Sequence, residues 1–276
     1  MTVRSELSLL LPERPGAVRT PDVEVREGDP GPDGPGLHVE VNGVEARILD
    51  GTTVVVDPGE AEKATVSKVV IKRGLLGLLL ERGVAVLHAG AVDVGGRAVA
   101  FAGPQDAGKS SLVTAMCARG NGFLTDDVLA VAEGDDAWRA VPAYPRVSLT
   151  PEAREALDFD GRRVASMEET ASEPWFEVGG RFETESVPLD TVYLLEERGG
   201  VDAPTVRAVE GQTAMERLVR HSVRSWEVGG TDPVRRQFRQ CVGICQSAAV
   251  KTLERPDGFD AMPEVVDCIE ADLEAH

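Results

Sequence analysis

VAVLHAGAVDVGGRAVAFAGPQDAGKSSLVTAMCARGNGFLTDDVLAV, residues 84–131, is the stretch on which the fold turns. Ala85–Val94 and Arg97–Ala102 are apolar, β-branched runs joined by Gly95-Gly96, which predicts two strands in a hairpin. A glycine-rich loop follows, then KSSLVTAMCARG, which reads as a helix ending at Gly120. Phe123-Leu124 reads as a short strand, and VLAVAE as another after Asp126-Asp127.

The loop GPQDAGKS, Gly103 to Ser110, fits the phosphate-loop pattern G-x-x-x-x-G-K-[ST], with a strand before it and a helix after it. Its glycines allow backbone N–H groups to turn toward phosphate oxygens, and the helix N-terminus adds partial positive charge. Lys109 is long enough to reach the β- and γ-phosphates, and Ser110 can offer its hydroxyl to Mg²⁺. The plain alternative is a structural glycine turn. A chance match is rare here, because the chain has only five lysines. Gly103, Pro104, Gln105, Asp106, Ala107, Gly108, Lys109, Ser110 and Ser111 form the expected nucleotide-binding set. Asp106 is out of character, since an anion in the loop repels phosphate unless it points outward. Aspartate does tolerate left-handed backbone.

Asp126-Asp127 end the strand after the first helix. Adjacent carboxylates there suit two tasks, holding Mg²⁺ and taking a proton from an attacking hydroxyl. A solvated turn is the competing reading, for Asp135-Asp136 is a second such pair. His88, on an apolar strand, reads by itself as a satisfied core residue.

Upstream, prolines and glycines crowd residues 1–36, and EGDPGPDGPG reads as a turn cluster. LHVEVNG, VEARILDG and TTVVVDPG predict a small antiparallel sheet with a hairpin turn at Asn42-Gly43. Lys68 to Arg82 reads as a mostly buried helix. The expected organisation is a β-rich segment over 1–67 and an α/β domain over 68–276. Downstream, RVSL, DTVYLLEE and TVRAVE read as strands. PEAREAL, TAMERLVRHSVR, DPVRRQFRQCVGICQSA and MPEVVDCIEADLEA read as helices. The polar stretch 158–186 reads as loop or lid, His221 as a surface residue, and Trp138, Trp175 and Trp226 as core or lid packing.

The 276 residues can bury a sizeable core, and their net charge of −18 argues against a nucleic-acid or anionic-membrane binder. Arginine-rich coding and an acidic surface adapted to high salt both account for the balance, and its size leans toward salt. Four cysteines are too few for a disulfide scaffold, so Cys117, Cys241, Cys245 and Cys268 are expected in the core. The longest uncharged run in the most apolar stretch is Gly74 to Leu80, too short for a membrane span. With no signal-peptide pattern, the expectation is a soluble, cytoplasmic protein.

In order and spacing, residues 84–131 resemble the nucleotide core of the HPr kinase/phosphorylase family. There a strand bearing Leu-His leads to a hairpin, a phosphate loop, a helix and an Asp-Asp strand end. VPAYPRVSLTPEAREAL is similar to a segment of HPr-kinase-like peptide-modifying relatives, including lasso-peptide precursor kinases, and SVPLDTVYLLEE to a later strand. The resemblance implies an α/β phosphate-loop domain of the HPr-kinase/phosphoenolpyruvate-carboxykinase type. It implies ATP and Mg²⁺ as cofactors, and transfer of the γ-phosphate to a serine of a protein or peptide. It implies Asp126 as general base and Asp127 on the metal side, or the reverse. It places His88 near the γ-phosphate or orienting a carboxylate, with Lys109 and Ser110 as above and Arg146 touching phosphate or acceptor. Hexamers occur in the family, so a homo-oligomer is a further expectation.

The chain departs from bacterial HPr kinases at Ser111, where they carry an acidic residue, and lacks their later second signature. That favours a kinase with another acceptor over a phosphorylase acting on HPr. A nucleotide-binding regulator or weak ATPase, and a small-molecule kinase, are the alternatives.

Overall fold

The computed structural model describes residues 3–7, 9, 22–31, 33–161, 174–196, 200–222 and 231–275. Two compact units divide the chain: Met1–Val84 with Arg224–Arg236, and Ala85–Val223 with Gln237–His276. The boundary expected at 67/68 falls inside a helix, Lys63–Val69.

In the first unit, β1 (Val3–Ser5), β2 (Val23–Glu27), β3 (Leu37–Val41), β4 (Val44–Leu49) and β5 (Thr53–Asp57) form one sheet in the order β1-β2-β5-β4-β3. The hairpin turn is as expected, with Asn42 and Gly43 both at positive φ (53° and 75°). The sheet is mixed rather than antiparallel, because β2 runs parallel to both β1 and β5. The turn cluster before β3 is tied down by Arg47. This buried guanidinium donates to the carbonyls of Pro30, Gly31 and Gly34. The predicted helix is a longer run, α1 (Lys63–Val69), a π-helical turn (Val70–Gly74) and α2 (Leu75–Glu81). Val66, Val69, Val70 and Leu78 from this run close a valine-rich core with Val23, Val44, Ile48 and Val54.

In the second unit, β6 (Ala85–Val94) and β7 (Arg97–Ala102) form the predicted hairpin, with Gly95 and Gly96 at φ 61° and 86°. Then come α3 (Lys109–Ala118), β8 (Gly122–Thr125), β9 (Val128–Glu133), β10 (Trp138–Val141), β11 (Arg146–Ser148), α4 (Pro151–Ala156) and β12 (Trp175–Glu177). They are followed by β13 (Val187–Leu195), β14 (Thr205–Ala208), α5 (Gly211–His221), α6 (Thr231–Ser247), β15 (Ala249–Glu254) and α7 (Met262–Glu274). β7, β13 and β15 are parallel at the centre of an eight-stranded mixed sheet. Because β10 pairs with both β9 and β13, the strands β10-β9-β6-β7-β13 close into a ring.

The strand alternation sorts two cores. Val99 and Phe101 of β7, with Tyr193 and Leu195 of β13, meet Leu112 and Met116 of α3 and Val266 and Ile269 of α7. Ala98, Ala100 and Ala102, with Val192 and Leu194, lie in the other core with Leu218 of α5 and Ile244 of α6. Cys117 and Cys241 are buried in these cores, and Cys245 packs against the second. Trp138 packs against the second core and Trp175 is buried, whereas Trp226 lies outside the described residues. Of the expected loop 158–186, residues 162–173 lie outside them too, and the rest contains β12. No helix among the described residues is long and apolar enough to cross a membrane.

Candidate functional site

The chain leaves β7 at Ala102 and enters α3 at Lys109 through the glycine loop. Two residues bend it through left-handed backbone, Asp106 at φ 60° and Gly108 at φ 85°. Asp106 is exposed, as an anion in such a loop must be. Gly103 is packed so closely that a Cβ would lie 3.0 Å from that of Leu195 and 3.1 Å from that of Ala107. Lys109 curls back over the loop it has just left, its Nζ donating to Gly103 O at 3.1 Å and Pro104 O at 2.8 Å. Its burial is nearly complete. From the far side the buried Arg255, just past β15, donates to Ala107 O. The N-cap residue of α3, Gly108, supplies no side-chain cap, and an uncapped helix N-terminus is of a kind that suits an anion. Ser110 is half-buried in that turn. Ser111 lines a small cleft with Gly108, Arg255, Phe259, Met262 and Val265.

Asp126-Asp127 stand on the same end of the sheet. β8 and β9 run end to end, antiparallel along one edge of β6, and keep one register across their junction, the pairing slipping only within β8, between Thr125 and Phe123. The aspartates form the break between the two strands, across from Ala89 and Gly90, between Thr125, which pairs with Ala91, and Val128, which pairs with His88. On the other edge of β6, Ala89 pairs with Ala102, the residue from which the glycine loop departs. Loop and acidic turn therefore leave the sheet at one level, two strand spacings or about 10 Å apart. Gly90 makes room between them, since a Cβ there would lie 2.6 Å from Val113 Cγ2 and 3.1 Å from Asp126 O.

The two carboxylates differ in surroundings. Asp127 Oδ1 is 3.0 Å from His88 Nδ1, and its side chain is 28% exposed. Asp126 is only 6% exposed, and its Oδ2 accepts from the Ser148 amide at 2.8 Å. Thr125 Oγ1 donates to Val128 O and closes the turn. Ser148 belongs to β11, so the Tyr-Pro-Arg segment is drawn beside the aspartates. Tyr144 stacks on Trp175, ring centroids 5.5 Å apart. Burial, then Asp127 and Asp126, push its phenol far above the ordinary range, so it stays a neutral hydroxyl. Arg146 is buried, and that burial lowers its guanidinium pKa.

The structure thus joins His88 to Asp127, Lys109 to its own loop and Asp126 to β11. Arg146 enters through β11. Three neighbours were not foreseen: Arg255, Tyr144 and His221. The expectation of a surface His221 is corrected. It ends α5, is half-buried, and its pKa is lowered by burial, then by Lys109 and His88. Nothing local to the sequence marks it, because Lys109 and His88 lie more than 100 residues away. No group of three or more His, Cys, Asp and Glu that could hold a metal occurs among the described residues.

No protein-family model and no curated protein matches the chain. Among solved structures, the HPr(Ser) kinase/phosphatase from Coxiella burnetii is similar at a TM-score of 0.37 and 12% identity. The match covers 69% of this chain and 97% of that one.

Proposed function

We propose that the chain is an ATP- and Mg²⁺-dependent phosphotransferase that moves the γ-phosphoryl group to a hydroxyl, that of a serine in a protein or peptide. One juxtaposition carries this reading. A glycine loop running into an uncapped helix with a buried lysine shares one end of one sheet with a carboxylate–histidine pair. The Ser110 hydroxyl and an aspartate carboxylate are hard oxygen donors of the kind Mg²⁺ takes. Bound there, Mg²⁺ would neutralise charge on the phosphates.

Lys109 and the α3 amides hold the triphosphate and stabilise the charge spreading over the transferred group. The sequence reading gave Asp126 the proton and Asp127 the metal, or the reverse, and burial favours the reverse. Asp127 is the carboxylate open to an incoming hydroxyl, and His88 fixes its orientation. It takes the hydroxyl proton as the oxygen attacks in line. Asp126, held by the Ser148 amide, serves the metal side and fixes β11.

Calorimetric titration of the full chain with Mg-ATP tests the binding half. Lys109→Ala should raise Kd by about tenfold or more, since a charge-assisted hydrogen bond is lost. Equal affinity in both proteins would overturn the reading of the loop.

A further inference from the structure

We propose that His221 is a catalytic residue that donates a hydrogen bond to the γ-phosphoryl group, from the sheet face that carries α3 and Lys109. The inference rests on the phosphotransferase reading and adds a residue that no sequence pattern marks.

The position follows from strand register. β7 pairs with β6 only as far as Ala89, because beyond Ala102 the chain departs into the glycine loop. The edge of β6 so exposed is taken over by Ser222, which forms an antiparallel bridge with Leu87. In an antiparallel pair the residue before Ser222 stands across from the residue after Leu87, so His221 faces His88. Directly opposed residues project on the same face with Cβ atoms about 5 Å apart.

That face is identified by its neighbours on β6. Leu87, Ala89 and Ala91 point into the core of α5 and α6, whereas Val92 lies in the α3 core and Gly90 abuts Val113 of α3. His88, and hence His221, belong to the α3 side, where Lys109 bends over the loop. The placement is anchored. Ser222 is buried, its Oγ donates to Val219 O at 2.6 Å, and Gln237 donates to that Oγ.

The electrostatic surroundings agree with the register. Lys109, His88 and Arg220 act on His221 from one sign and Glu196 from the other, and burial with the cations holds the imidazole neutral. Glu196 is itself paired with Arg217. A neutral imidazole beside a lysine offers an N–H donor to a γ-phosphoryl oxygen without setting a second positive charge against Lys109.

The test compares ATP with ADP on the full chain, as wild type, His221→Ala and His221→Gln, each checked for folding by circular dichroism. Wild type should prefer Mg-ATP over Mg-ADP. His221→Ala should lose about tenfold in ATP affinity and keep its ADP affinity, with phosphoryl transfer reduced further. His221→Gln, which keeps an N–H donor, should recover part of both. A wild type that prefers ATP, beside a His221→Ala protein with the same preference, would overturn the role of His221 alone. Equal loss of ADP and ATP in His221→Ala would also overturn it, by showing a structural role. A wild type that binds neither nucleotide would overturn the phosphotransferase reading and this proposal with it.

Discussion

At the scale of single residues, two identical side chains side by side lie in different surroundings. Asp126 and Asp127 are indistinguishable in the sequence. One is sealed under β11 with a backbone amide on its carboxylate, and the other is open and touches an imidazole. The pattern made the pair legible as a candidate. The difference in their surroundings was not legible, because it depends on Ser148, 21 residues downstream of Asp127, folding back as β11. Burial acts likewise on the cysteines. It pushes the Cys117 thiol up to about 12 and the Cys241 thiol up to about 11. Between pH 9, where an unfolded thiol loses its proton, and pH 11 to 12, the folded state holds protons that the unfolded state has released. Stability contributed by these thiols is therefore complete below pH 9 and is lost as pH rises through that window. Urea midpoints measured across it should fall, and Cys117→Ala should flatten the fall. An identical slope in the variant would contradict the burial argument.

Among the elements, legibility followed how local the signal was. The β6–β7 hairpin, the glycine loop and α3 were readable because turn chemistry and an apolar strand determine them over a few residues. α4 was readable for the same reason, with Thr150 accepting from the Ala153 amide and Pro151 in the first turn. β15, AVKTLE, was not, although it lies between β13 and β14 in the sheet. Lys251 interrupts its apolar run, and what permits a lysine there is remote. Its Nζ meets Asp272 Oδ2 of α7 at 2.7 Å, and Tyr193 Oη of β13 donates to the same oxygen at 2.5 Å. Asp272→Ala leaves Lys251 buried without its counter-ion and should cost about 3 kcal/mol, read from urea unfolding. Replacing both, as Lys251→Met with Asp272→Leu, should restore much of that loss. A single variant as stable as wild type would show that the pair does not hold α7 to the sheet. β10 and β12 escaped notice as short strands, four and three residues long, whose partners are distant.

For the molecule as a whole, the candidate site lies within one of the two compact units, at one end of the eight-stranded sheet. Five separate stretches of chain converge there. These are the glycine loop and α3, the break between β8 and β9, the segment around β11, the end of α5 and the turn after β15. The first two were visible in the sequence as a motif and an acidic pair. The segment around β11 was visible through the resemblance that singled out Arg146, and the last two were not visible, since His221 and Arg255 reach the loop only once β13 and β15 have added to the sheet beside β7. The central claim is that this convergence moves a phosphoryl group. The measurement that tests it most directly follows γ-labelled Mg-ATP in a size-fractionated extract of the source cells, with wild type, Asp126→Asn and Asp127→Asn in parallel. Wild type should label a discrete protein or peptide. Asp127→Asn should still bind ATP and lose transfer by about 10²-fold or more. Label that stays on ATP or appears only as inorganic phosphate in all three would contradict the claim, and normal transfer by Asp127→Asn would remove Asp127 as the base.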